Sequence, residues 1–188
     1  MAADAAATGT RCTPPLPLGP YYPLEPGAGT TNALWRGAAV PPNARALRLQ
    51  GRVQSLGGRA VSGALVEIWH ADPAGHYRHP SAPQRDKVLA DFAGYGRAIS
   101  DAAGRFDFTS LMPGCYGSGP MWRAPHLHVQ ISARFDRLVT QLFLPGHAEN
   151  ARDRWLRVVR DPRVLTAELV YDDALACHLR WTAVLARG

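Results

Sequence analysis

The chain has too few cysteines, too few lysines and too little uninterrupted apolar sequence for several common roles. Cys12, Cys115 and Cys177 are odd in number and none stands in a CxxC pair, which argues against a disulfide framework or a zinc knuckle. Reduced thiols in a cytoplasmic protein are the simplest account. Lys87 is the only lysine among 21 basic residues. The arginines are scattered, with no basic run interleaved with aromatics, so nucleic acid is not an expected partner. The net charge of +6 is better read as a field that attracts small anionic substrates. No stretch approaches spanning length, so no membrane partner is expected. Residues 1–10 have neither a basic start nor an apolar centre. A cytoplasmic location is therefore the expectation, with an exported form that has lost its leader left open.

What the chain does contain is turn-forming residues. Eighteen glycines and 16 prolines in 188 residues favour one all-β domain with long connections. The expected fold is a β-sandwich core with an irregular N-terminal arm and a short helix near the C-terminal part. The arm is residues 1–45. Its TPPLPLGPYYP stretch removes backbone donors and fixes φ, while Tyr21, Tyr22 and Trp35 need burial and so favour wrapping over the core. The sandwich is residues 46–188, with strands expected at 47–53, 64–69, 97–100, 105–109, 126–132, 138–144 and 177–185. Asp101-Ala102-Ala103-Gly104 predicts a hairpin turn. Residues 150–160 read as a short helix capped by Asn150.

The chemistry gathers around Trp122-Arg123-Ala124-Pro125-His126-Leu127-His128. Residues two apart on a strand share a face, so His126 and His128 aim two imidazoles at one spot while Leu127 and Val129 face the other way. Arg123 stands just before them, suited to a place where negative charge accumulates. Tyr77 in Gly-His-Tyr-Arg-His and Tyr116 in Pro-Gly-Cys-Tyr-Gly complete a set of two phenols and two imidazoles. Phenolate oxygen with borderline nitrogen suits Fe(III) better than zinc or copper, and such a cation would deprotonate phenols whose free pKa is about 10. Two other readings stay open: a binding module that uses these residues only for packing, and a zinc hydrolase built on the histidine pair, which lacks an evident carboxylate nearby. His70, His76, His79, His147 and His178 read as surface or neighbouring residues, and Asp72 and Asp91 as turn formers.

Several motifs in one order then point to a family. The run from Gly51 to Tyr77 (GxVxxxxGxxVxGAxVEIWxADxxGxY) resembles the intradiol ring-cleaving dioxygenases, the catechol and protocatechuate enzymes. So do Gly94-Tyr95-Gly96-Arg97, Pro113-Gly114-Cys115-Tyr116, the Arg123/His126/His128 group, Thr140-Gln141-Leu142-Phe143 and the arm's Gly19-Pro20-Tyr21-Tyr22-Pro23. The resemblance implies a single non-haem Fe(III) held by Tyr77, Tyr116, His126 and His128. It implies cleavage of a catechol-type ring between its two hydroxylated carbons with O2, giving a muconate-type diacid. Tyr116 would take a substrate proton, Arg123 would stabilise charge developing on the ring, and Gln141 would orient substrate or oxygen. Tyr21, Tyr22, Gly117 and Trp122 would contact the substrate. The chain looks more like the compact protocatechuate-type or stand-alone members than the catechol type. A non-catalytic subunit of such an assembly is the alternative, and homo-oligomerisation is left open. Where the protocatechuate enzymes carry Pro-Trp after the loop tyrosine, this chain has Gly117-Ser118-Gly119. That predicts a wider pocket unless Trp122, Tyr21 or Tyr22 fills the gap.

Overall fold

The computed structural model describes residues 11–26 and 31–187. Residues 1–10, read above for an export signal, and residues 27–30 of the expected arm lie outside the described residues. Eight strands are present among them: β1 (Ala46–Ser55), β2 (Leu65–Trp69), β3 (Tyr95–Ile99), β4 (Arg105–Leu111), β5 (His126–Ser132), β6 (Arg137–Phe143), β7 (Glu168–Asp172) and β8 (Ala176–Leu185). They form two four-stranded sheets, ordered β4-β1-β8-β7 and β3-β2-β5-β6. All ladders are antiparallel except β1 with β8, where the last strand returns alongside the first.

Alternation along the strands explains the layering. Leu47, Leu49 and Val53 of β1 and Leu179, Trp181 and Ala183 of β8 meet Val66, Ile68, Leu127, Val129 and Ile131 of the second sheet in one core. Burying each such aliphatic side chain is worth about 1.5–3 kcal/mol, so the register is strongly held. A slip of one residue in β5 would turn His126 and His128 into this core and push Leu127 and Val129 out. The core therefore fixes which face the imidazoles occupy.

Three expectations need correcting. Residues 101–104 do form a turn, with Gly104 N–H donating to the Asp101 carbonyl at 2.8 Å. It is not a hairpin turn, because β3 pairs with β2 while β4 pairs with β1. Ser100 sets the divergence: its N–H donates to Ala64 O, and its hydroxyl accepts from Ala64 N and donates to Val61 O. Strand β7 was not anticipated, since all five of its residues are exposed and show no apolar alternation. The expected helix over 150–160 is instead two 3-10 turns, Ala148–Arg152 and Leu156–Val158, broken at Asp153, whose backbone is extended. The cap is His147, which accepts from Glu149 N, while the Asn150 amide donates to Leu144 O.

Residues 13–22 run past the end of β8 and the free edge of β6 and then over the outer face of the second sheet. Thr13 N–H donates to Val184 O and Leu16 N–H to Val139 O, both at 2.9 Å. Thr140 Oγ1 donates to Pro14 O at 2.8 Å. Leu18, Tyr21 and Tyr22 then pack on a cluster centred on Trp69 and Tyr77. No helix among the described residues is long and apolar enough to cross a membrane.

Candidate metal centre

The outer face of the second sheet carries the polar residues. His128 is paired in register with Trp69 on β2 and Gln141 on β6. The Trp69 indole stacks on the His128 ring, with centroids 5.0 Å apart and planes 11° from parallel. Tyr77 and Tyr116 arrive from two loops that touch backbone to backbone. Asp72 closes the first loop as a turn former, accepting from Ala74 N and His76 N through one oxygen and from Leu89 N through the other. Gly114 N–H donates to Asp72 O at 3.0 Å. A Cβ on Gly75 would lie 2.1 Å from Cys115 O, and one on Gly114 would lie 2.3 Å from Pro73 O. Only glycine permits that approach. It brings the Tyr77 and Tyr116 rings edge to face at 5.1 Å. Two main-chain bonds between Tyr116 and Arg123 then set the second loop against the start of β5.

The four predicted ligands converge. His126 Nε2 is 3.2 Å from His128 Nε2 and 3.5 Å from the Tyr116 hydroxyl, and the Tyr77 ring lies 6.2 Å from the His128 ring. His126 Nδ1 is 2.6 Å from the Ala124 carbonyl oxygen. A carbonyl can only accept, so Nδ1 carries the proton and Nε2 presents its lone pair. Burial, reinforced by the Arg123 charge, lowers the His126 pKa to about 3. Burial, then His126 and Arg123, holds His128 well below its ordinary value, so both rings are neutral. Burial, and then the neighbouring Tyr116, raises the Tyr77 phenol well above 10. Burial raises Tyr116 too, against the pull of Arg123.

Two buried atoms of this group make no hydrogen bond of ordinary geometry: the Tyr77 hydroxyl, although the Tyr116 hydroxyl is near enough to act on it, and His128 Nδ1. An unsatisfied buried hydroxyl costs about 1–3 kcal/mol, which asks for an explanation. A metal ion supplies one for Tyr77. Two nitrogens each about 2.1 Å from one ion at near right angles stand about 3 Å apart, as these two do. No group of three or more His, Cys, Asp or Glu is found among the described residues. Phenols supply the other half of the donor set, and that composition fits a hard ferric ion.

Arg123 is 5% exposed and tightly held. Its Nε donates to Asp153 at 2.8 Å, Nη2 to Gln141 Oε1, and Nη1 to the Tyr116 hydroxyl at 3.4 Å. Gln141 uses its other end on Pro17 O at 2.9 Å. With both ends of its amide engaged, Gln141 is placed to hold Arg123 and the N-terminal segment. A cavity of about 460 Å³ opens beside the two tyrosines, and Tyr21, Gly117 and Trp122 line it. Tyr21 and Trp122 thus occupy part of the gap left by Gly117-Ser118-Gly119. Tyr22 does not line it; its hydroxyl donates to Glu67 at 3.0 Å and its ring packs edge-on against Trp69.

Two partnerships were not read from the sequence. Asp153 is fully buried and accepts from Arg123, Ala124 N, Trp155 N and Leu156 N, 30 residues away from the arginine. No local signal announces such a partner. Glu67 is buried on the outer face, where Tyr22, Tyr95 and Gln130 donate to it; a lone acid within Leu-Val-Glu-Ile-Trp was the available sign. Of the histidines read as surface or neighbouring residues, His70 and His79 are buried. His70 Nδ1 faces Ala71 O at 2.7 Å and Nε2 faces Ser110 Oγ at 2.8 Å.

Comparison with known proteins follows this geometry. A family model described as dioxygenase matches residues 18–187. The chain is 39% identical over 123 residues to the protocatechuate 3,4-dioxygenase beta chain of Burkholderia cepacia, covering 62% of this chain and 51% of that one. It is 32% identical over 155 residues to a 6-chlorohydroxyquinol 1,2-dioxygenase of Cupriavidus pinatubonensis, covering 72% and 51%. The chain spans about half the length of these curated relatives. Among solved structures, the dioxygenase domain of a carbohydrate-binding fusion protein from Streptomyces sp. SirexAA-E superposes with a TM-score of 0.74 at 25% identity, covering 95% of this chain and all of that domain.

Proposed function

The chain belongs to the intradiol ring-cleavage dioxygenase family, and we propose that it uses Fe(III) and O2 to open catechol-type rings between the two hydroxylated carbons, giving muconate-type diacids. The observation that carries this reading is the convergence of two neutral imidazoles and two buried phenols, one whose hydroxyl makes no hydrogen bond of ordinary geometry. The relatives' names span protocatechuate, catechol, chlorocatechol and chlorohydroxyquinol, all rings with adjacent hydroxyls. Tyr77, Tyr116, His126 and His128 would hold the metal. When bound, ferric ion supplies the Lewis acidity that prepares a catecholate ring to react with O2.

The remaining chemistry belongs to the chain. Tyr116, which bound metal would hold as the phenolate that burial disfavours, would take up on its Oη a proton that the catechol surrenders, and Arg123 Nη1 beside it favours that anionic form. Arg123 keeps a cation next to the site where negative charge develops on the ring, an electrostatic role worth a few kcal/mol in a dry site. Gln141 and Asp153 prevent that guanidinium from turning away. The N-terminal segment covers the histidines and excludes water. Asp153 has both oxygens engaged, so it offers no free general base for the hydrolase reading.

The test is chemical. Protein reconstituted with iron should retain about one iron per chain, show the red-brown colour of a ferric phenolate, and convert catechol to a diacid that carries both atoms of labelled O2. An extradiol semialdehyde, or a colourless protein that holds zinc in place of iron, would refute the proposal.

A further inference from the structure

The cavity beside Tyr77 and Tyr116 has a wall without cations. Its rings are Tyr21, Tyr77, Tyr116 and Trp122, and its polar groups include Gln84 and Ser118. None of the residues that line it is arginine or lysine. Arginines stand near it without lining it: Arg36, Arg78 and Arg97 line a second cavity that shares Tyr21 and Tyr77. Arg78 donates to the carbonyls of Phe92, Leu89 and Ala90, Arg85 to Pro80 O, and Arg123 is paired with Asp153. His76, the one titratable base in the wall, has Nδ1 3.6 Å from Asp72 Oδ1.

The wall is also backed by negative charge. Trp122 Nε1 donates to Glu149 Oε2 at 2.6 Å, which fixes a carboxylate behind the indole. Arg152 approaches the same oxygen at 3.3 Å but is largely exposed, so solvent weakens its compensation. Glu149 is close enough that, after burial itself, its charge helps raise the Cys115 thiol on the cavity lining. A carboxylate carried into this space on a catechol ring would lose part of its water, meet no arginine or lysine on the lining and face Glu149. An uncharged methyl, halogen or ester group suffers none of this.

Resting on the function proposed above, we infer that the site selects catechols with uncharged ring substituents and discriminates against carboxylated ones such as protocatechuate. The selecting features are the aromatic wall without arginine or lysine and Glu149 behind Trp122.

Protocatechuate and its methyl ester carry a carboxyl carbon at the same ring position and differ in charge; because the ester is also the more electron-withdrawing, the change of their ratio in the charge variants is what isolates charge. For the iron-loaded protein at about pH 8, kcat/KM for the ester should exceed that for protocatechuate by about tenfold or more. Anaerobic titrations should give the same order in Kd. Glu149→Gln keeps an acceptor for Trp122 and should narrow the ratio several-fold. Gln84→Arg, or Ser118→Arg if the first variant misfolds, should narrow it further. Protocatechuate equal to or better than the ester in the unaltered protein would overturn the inference, as would ratios that do not move in any of the three variants. Tighter binding of the ester with no ring cleavage of either compound would support the selectivity and refute the dioxygenase function. The two failures are therefore distinguishable.

Discussion

Arg123 Nε lies 2.8 Å from Asp153 Oδ2, with 6% and none of the two side chains exposed. A buried pair of this kind contributes little net energy when intact but is costly to halve, because the survivor is left charged and dry. Asp153→Asn should therefore destabilise the protein by about 3–5 kcal/mol in urea titrations. Arg123→Ala should cost a similar amount, and the double variant Arg123→Ala/Asp153→Asn clearly less than the sum. Additive losses would show that the two residues act independently.

Tyr77 gives a prediction whose sign depends on metal. Its hydroxyl is buried and makes no hydrogen bond of ordinary geometry, so Tyr77→Phe removes an unsatisfied group from the metal-free protein. Stability without metal should be unchanged or up to about 1–2 kcal/mol higher. With iron the same change removes a proposed ligand, and both visible absorbance and iron retention should fall. His126→Ala and His128→Ala should lose most of the iron without any such gain. A loss of metal-free stability in Tyr77→Phe would mean that the hydroxyl has a structural partner.

Acid stability follows from His70, which burial lowers from 6.5 to about 4. Between those values the unfolded chain binds a proton that the folded chain refuses, so stability is full above pH 6.5 and lost as pH falls towards 4. The loss from this residue is about 3 kcal/mol, at about 1.4 kcal/mol per pH unit. His70→Gln keeps a donor and an acceptor but cannot titrate. The metal-free variant should show a shallower decline than the parent over this range, measured by urea midpoints. Identical slopes would remove His70 as the cause.

Periodicity accounts for how much of this was legible. Seven of the eight strands read correctly because each buries one face, and the HxH spacing placed both imidazoles on the other face. Strand β7 buries nothing and left no pattern. The 101–104 tetrapeptide announced a turn but not its partners, since a turn carries no information about which sheet each flanking strand joins. Tyr77 and Tyr116 were identified through motif, and what brings them together is a loop contact between Gly75 and Cys115 that the chain encodes only as missing side chains. The Asp153 and Glu67 partnerships depend on tertiary packing over dozens of residues, beyond the reach of any local rule.

Gly19 presses on the centre itself. Its φ is +80°, and a Cβ there would lie 2.8 Å from His128 Cε1. Gly19→Ala thus combines a left-handed backbone, unfavourable by about 1–2 kcal/mol, with a collision against the ring of a proposed ligand. The segment is anchored upstream by Thr13 and Leu16, so it should remain attached and yield locally. Water would then reach the histidines, and iron loss to a chelator should quicken. Gly58 supplies the control, because its φ is +79° and a Cβ there meets nothing within 4 Å. Gly58→Ala should show the backbone cost alone, with iron release at the parent rate. Equal release from the two variants would show that the close approach of Gly19 to His128 does not seal the metal site.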